Sequence, residues 1–358
     1  MEKIKIFIFM FVFFFFVIIE GAFSCKINLK ELKTIGSDSP HYEFFLISGV
    51  DTDDKGNIYI ADGRGCFIRK YSKDGKFIAK TGKRGQGPGD FGDLIDIVVG
   101  KDKIFVKDNM NKRIAIYPLD LRGTPQYIKT SKIGYFTSFF YMNGLLYLTK
   151  QLSLDPEKAD FEKRIVGVKI NSSGIKIIYS FFDKFPDFYK KGKKGKMEMA
   201  LFMTNMFLKS AGDEKRNEVV STFVFPEKAL SLYYYSGDGK FLRKHSIEIL
   251  KGYKMPRFYL KFPFKYPPKH RIVTVGFLDY FRSRYIVVHY SISFYKRKKK
   301  IKSESFLMFV DANTGKIVAK LRVEEGIRIF KIKGDYLYAK NFDDDIEKLH
   351  VYKIEGIK

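Results

Sequence analysis

Short apolar runs bounded by turn-forming residues recur along the chain from residue 44 onward. In Ile58-Tyr59-Ile60-Ala61-Asp62 and Lys103-Ile104-Phe105-Val106-Lys107-Asp108, successive apolar side chains point to both faces, as a strand covered on both sides requires. Asp54-Lys55-Gly56-Asn57 and Asp74-Gly75-Lys76 lie between such runs. Glycine there accepts positive φ, and the Asp side chains bond nearby backbone donors. The pattern also repeats. Tyr59 and Phe105 lie 46 residues apart (105 − 59), as do Tyr71 and Tyr117 (117 − 71). A hairpin cannot bury both its faces alone, so each unit needs neighbours.

A period of this size with short strands predicts the blades of a β-propeller. Residues 44–82 and 91–130 form the two clear repeats, and weaker ones follow at about 135–182, 206–249, 271–323 and 328–354. The fold class expected is all-β: a six-bladed β-propeller of four-stranded blades, one domain over 26–358. The last repeat is one strand short, while Ile27–Ile35 alternates and has no blade of its own. It is expected to supply the outer strand of the last blade and close the ring, which removes an open sheet edge.

The residues Gly49–Asp62 and Asn111–Tyr117 resemble the NHL-type repeat, and Gly82–Phe91 is similar to a linker of bacterial six-bladed propellers of that group. The first copy departs where Gly65-Cys66-Phe67 stands for the usual Asn-x-Arg, and the likeness fades beyond about residue 130. The resemblance implies a propeller that binds or scaffolds. Some propeller lactonases and lyases hold an axial metal, but their distinctive residue sets are absent here.

At the N-terminus, Lys3 and Lys5 precede an apolar run of 14 residues from Ile6 to Ile19 (19 − 6 + 1). That is short for a membrane span and suits a secretory signal over residues 1–25. Cys25 follows Ala22-Phe23-Ser24, so lipidation at Cys25, simple secretion and an uncleaved anchor all stay open. Each places the protein outside the cytoplasm, in the periplasm or outer envelope. Cys25 and Cys66 are the only cysteines, which excludes a disulfide framework and a thiolate metal cage. Cys66 is expected as a lone thiol inside the first blade, the alternative being a Cys25–Cys66 disulfide.

The formal charge is +26. A chain rich in Lys, Ile, Phe and Tyr and free of Trp also arises from codon bias, and export argues against nucleic acid. Position matters more. Insertions at 83–92, 183–204 and 250–270 each join an outer strand to the next inner strand, and connections of that kind emerge on one face of a propeller. That face is expected to gather Arg84, Lys193, Lys194, Arg257, Tyr259, Lys261 and Lys265 as a cationic patch with exposed rings. The basic run at 296–302 is expected as a hairpin tip on the same side. Asp51, Asp62, Asp96 and Asp108 recur at strand ends. They read as turn caps, with Ca²⁺ binding on the axis as the alternative. The histidines show no paired metal spacing. The function expected is a monomeric, exported, membrane-anchored binding or scaffold module for an envelope protein, a glycan or an anionic lipid surface, without catalysis or cofactor. The alternative is a lactonase-like hydrolase or lyase.

Overall fold

Turn chemistry sets the first hairpin. Asp53 Oδ1 accepts from the N–H groups of Lys55 (3.0 Å) and Asn57 (2.8 Å), Gly56 takes φ +80°, and Ile58 pairs with Thr52. The same device, repeated along the chain, yields the computed structural model described here. It covers residues 26–132, 136–150, 165–171, 174–181, 209–223, 229–249, 269–296 and 299–357.

Six four-stranded antiparallel sheets follow one another. With β1 (Asn28–Ile35) set aside, the first blade is β2 (Ile47–Thr52), β3 (Ile58–Asp62), β4 (Phe67–Tyr71) and β5 (Phe77–Thr81). The second is β6 (Leu94–Val99), β7 (Lys103–Asp108), β8 (Arg113–Pro118) and β9 (Gln126–Lys129). Next come β10 (Phe136–Met142), β11 (Leu145–Lys150), β12 (Ile165–Asn171) and β13 (Gly174–Phe181). The fourth blade is β14 (Lys209–Asp213), β15 (Glu218–Phe223), β16 (Ala229–Ser236) and β17 (Phe241–Glu248). The fifth is β18 (Lys269–Phe281), β19 (Tyr285–Lys296), β20 (Lys299–Asp311) and β21 (Ile317–Val323). In the sixth, β22 (Ile327–Lys333), β23 (Tyr336–Asn341) and β24 (Leu349–Glu355) are completed by β1. The register runs from Asn28 opposite Glu355 to Ile35 opposite Leu349, so the N-terminal strand closes the last blade as expected.

Burial follows position in the blade. β3 is buried throughout, because neighbouring blades cover both its faces, whereas the outer strands β5 and β17 mostly alternate half-buried and exposed positions. Among the described residues, six apolar clusters sit between adjoining blades. One joins Tyr59, Ala61 and Ile68 to Leu94, Ile104 and Tyr117, and another joins Ile35, Leu349 and Val351 to Ile47 and Ile60 across the closing seam. Polar links cross the same interfaces. Tyr59 donates to Leu119 O (2.8 Å), and Tyr147 donates to Gly237 O (2.7 Å). Glu218 accepts from Arg216, Arg243 and, across to the fifth blade, Tyr280.

The inner strands β2, β6, β10, β14, β18 and β22 touch in a closed ring. Each begins where a linker arrives from the preceding blade and ends in the hairpin to its own second strand, so the ring has a linker face and a hairpin face. β1 starts beside the end of β24, which places residues 26–28 on the hairpin face.

Two features differ from the sequence reading. The insertion expected at 250–270 is shorter, because Lys269 and His270 already pair with Lys296 and Tyr295 in β18 and β19. The fifth blade is also outsized, with strands of 13, 12 and 13 residues against four to eight in the others. Outer strand β21 pairs only with Ser305–Val310 of β20, so the hairpin beyond it stands off the linker face. From Ser305 to Lys299 that projection reaches about 20 Å, at ~3.3 Å per residue.

Candidate binding face and axial cavity

Every inner strand contributes to a cavity of about 210 Å³ on the axis, lined among others by Asp51, Asp96, Phe140, Lys209, Asp279, Arg328 and Lys331. Strand register sets their heights. Gly49 pairs with Ala61 and Asp96 with Lys107, the repeat-equivalent position, so Asp96 corresponds to Gly49 and not to Asp51. The counterpart of Asp51 is Val98, two residues beyond Asp96 on the same side of the strand. Asp51 and Asp96 therefore occupy successive layers, with Asp96 nearer the linker face.

The lower layer is a closed ion triad. Lys331 Nζ lies 3.7 Å from Asp51 Oδ1 and 3.8 Å from Asp279 Oδ2. Asp51 also accepts from the N–H groups of Thr52 (2.8 Å) and, in the next blade, Val99 (2.9 Å). Asp279 accepts in the same way from Tyr280 (2.9 Å) and, in the next blade, Ile332 (3.4 Å). Each carboxylate thus staples its blade to the following one. Burial alone would lower the Lys331 ammonium, but the flanking Asp51 and Asp279 outweigh it and hold its pKa above the usual value. Burial raises Asp279, with Lys331 opposing.

Toward the linker face the balance changes. Burial pushes Asp96 up to about 6, against the pull of the Ile97 N–H, Lys107 and Arg328. Lys209 is lowered by burial, with Asp96 acting the other way, and its side chain makes no hydrogen bond or ion pair among the described residues. Exposed Arg328 donates from Nη2 to Ser48 O at 3.1 Å. No group of three or more His, Cys, Asp or Glu placed to hold a metal occurs among the described residues.

The four recurring aspartates therefore divide. Asp62 accepts from the N–H groups of Phe45, Leu46 and Gly65, and Asp108 from Gly92, Asp93 and Asn111, so both cap turns. Asp51 and Asp96 face the axis. Sequence reasoning missed Lys209, Asp279, Arg328 and Lys331. Their one signal was a charged residue inside an otherwise apolar inner strand, as in Gly276-Phe277-Leu278-Asp279-Tyr280-Phe281.

Of the residues expected on the cationic face, Arg84 is described. It is exposed in the linker before the second blade, bonded from Nη2 to Arg64 O (2.9 Å) and, at 3.5 Å, from Nη1 to Gly92 O. Lys193, Lys194, Arg257, Tyr259, Lys261 and Lys265 lie outside the described residues, as do Cys25 and the whole 1–25 segment. The linkers that carry the six join β13 to β14 and β17 to β18, outer strand to inner strand. Cys66 is a free, buried thiol. The projecting hairpin carries a further group of basic residues. Lys296, Lys299, Lys300 and Lys302 are exposed around Ile301, which is itself 61% exposed. Lys302 pairs with Glu304 at 3.0 Å, while Lys296, Lys299 and Lys300 make no ion pair among the described residues.

Residues 43–191 match the model of a family described as a 6-bladed beta-propeller, DUF5128. No curated protein is similar enough in sequence to count as a match. Among solved structures, the chain is similar to a Bacteroides fragilis protein named as exported, with 14% identity and a TM-score of 0.60 over 92% of this chain and 95% of that one. A DUF4221 family member from Bacteroides vulgatus gives 11% identity and 0.61, over 92% and 98%. Hydrazine synthase of Kuenenia stuttgartiensis gives 10% and 0.51, over 85% and 77%. At such identities the likeness is one of fold, and the fold is the six-bladed propeller.

Proposed function

We propose that this propeller is an exported, membrane-anchored and non-catalytic binding module that presents its linker face to an acidic polysaccharide. One observation carries the reading: the outsized fifth blade projects a lysine-tipped ribbon from the face where every blade-to-blade linker arrives. Lys296, Lys299 and Lys300 there are uncompensated among the described residues, and the two long basic linkers attach on the same side. Export is supported by the apolar N-terminal run and by the likeness to an exported protein, and the first two blades are read as NHL-type. The non-catalytic reading is supported by the lower axial carboxylates, which backbone N–H groups and one ammonium already engage.

A polysaccharide is favoured over the lipid surface by polarity of the fold. An anchor at Cys25 would leave from the hairpin face, where residue 26 lies, and the linker face would then point away from the bilayer. Retention on immobilised polygalacturonate tests this. The Debye length falls from ~10 Å at ~0.1 M salt to ~3 Å at ~1 M, so retention should fall as salt rises. It should fall further in Lys296→Ser/Lys299→Ser/Lys300→Ser and in Lys261→Ser/Lys265→Ser. Retention that ignores salt and both variants, or anionic vesicles bound in preference to the polymer, overturns the reading.

A further inference from the structure

The axial cavity differs from the ribbon in kind. It is small and sided, and its two ends are dressed differently. At the hairpin end, Lys331 sits between Asp51 and Asp279, and all three are held by short-range partners. A cation entering from below would have to displace an ammonium already in place. At the linker end two cations, Lys209 and Arg328, both act on Asp96, Arg328 having Glu347 near it as well, and Phe139, Phe140, Phe277 and Phe330 are among the lining residues.

We propose that this cavity is a binding site for one small organic carboxylate, entered from the linker face and held by Lys209 and Arg328. The inference rests on the reading of the protein as a binder of acidic polysaccharide, and it names the group recognised on the axis. Lys209 has no hydrogen-bond or ion-pair partner among the described residues, so an incoming carboxylate would pair with a half-buried ammonium on the cavity wall. Arg328 is oriented by its bond to Ser48 O, which leaves the rest of its fork to a second oxygen. The volume, about 210 Å³, equals roughly seven waters at ~30 Å³ each. That suits a single sugar acid or a smaller acid. The phenylalanine walls suit the apolar side of such a ring.

The charged groups that line the cavity are Asp51 on β2, Asp96 on β6, Lys209 on β14, Asp279 on β18, and Arg328 and Lys331 on β22, while Lys107 on β7 acts on Asp96 and Glu347 on Arg328 from outside it. Because burial raises Asp96 to about 6, acidification neutralises the carboxylate that lines the cavity at its linker end. Affinity should therefore rise as pH falls toward about 5, while a sugar acid stays ionised.

Titration calorimetry of the full exported chain with D-galacturonate, and with D-galactose as its neutral twin, tests the site. Galacturonate should bind at least about tenfold more tightly than galactose. Lys209→Met and Arg328→Gln should each weaken it about fivefold or more with the circular dichroism spectrum unchanged. Asp96→Asn should strengthen binding at neutral pH and flatten its pH dependence. Trigalacturonate separates the two sources of the carboxylate: tighter binding than the monomer indicates a polymer end, equal binding a free acid, and both support the site. The ribbon-tip triple serine variant should lose polymer retention yet keep galacturonate, so failure of the site and failure of the ribbon reading are told apart. Equal affinity for acid and neutral sugar, no galacturonate binding, or indifference to both cation substitutions overturns the proposal.

Discussion

At the scale of single residues, repeat positions keep their backbone even where their side chains change. Cys66 and Lys112, 46 apart (112 − 66), share the left-handed conformation, φ +57° and +49°. Both close the turn between a second and a third strand. Asp108 ties its turn through Asn111 Nδ2 (2.7 Å) and Arg113 Nε (3.1 Å), whereas Asp62 takes the Gly65 N–H (2.6 Å), so Gly65-Cys66-Phe67 can replace Asn-x-Arg. Asp96 shows what the axis imposes. Its folded pKa, about 6, lies above an unfolded value of about 4. Between those values the native state holds a proton that the unfolded chain has released, so stability falls as pH rises through the window and stays reduced above it. Asp96→Asn should remove that slope and raise neutral-pH stability by about 1–2 kcal/mol. Urea unfolding at several pH values measures it, and a variant with the wild-type slope would assign the titration elsewhere.

At the scale of elements, the two atypical strand groups carry the argument. β1 pairs with β24 and contributes buried Ile35 to the cluster shared with Leu349 and Ile47, whereas Leu32, on the same strand, is 43% exposed. If this strand closes the ring, Ile35→Ala should cost about 2–4 kcal/mol and Leu32→Ala less than about 0.5 kcal/mol. Chemical denaturation of the two variants compares them directly, and equal effects would mean that the seam is held without β1. The fifth blade needs a local device to run past its neighbours. β18 is bulged between Val275 and Phe277, and a Cβ on Gly276 would lie 2.9 Å from His289 Nδ1. Glycine at the bulge lets β18 pass over the buried imidazole. Lysines along the unpaired stretch of β20 also discourage edge-to-edge association.

At the scale of the whole molecule, the order of strands gives the ring a polarity. Residues 26–28 and the end of β24 lie on the hairpin face, while Lys209, Arg328 and the ribbon lie toward the linker face. A lipid on Cys25 would hold the propeller with its binding face outward. Cys25→Ser should therefore shift the exported protein from the membrane fraction to the soluble one without reducing its galacturonate affinity. Fractionation with detergent-free washes checks the first part and calorimetry the second. Wild-type protein already soluble after export would dismiss the anchor.

The sequence by itself determined the blades. The 46-residue offsets, the Asp-Gly turns and the missing last strand come from local propensity and periodicity, which neighbouring residues specify. It also placed the turn caps at Asp62 and Asp108, because a cap bonds residues close along the chain. The axial cavity was decided by tertiary structure alone. Asp51, Asp96, Lys209, Asp279, Arg328 and Lys331 come from five blades, and their layers depend on a strand register in which Asp96 answers Gly49. The hairpin after β6 holds four residues between Val99 and Ile104 against five between Thr52 and Ile58, and this moves the inner-strand correspondence from 46 to 47 residues. Ring closure then brings Lys331 to Asp51 across 280 positions (331 − 51), a contact that no local pattern encodes.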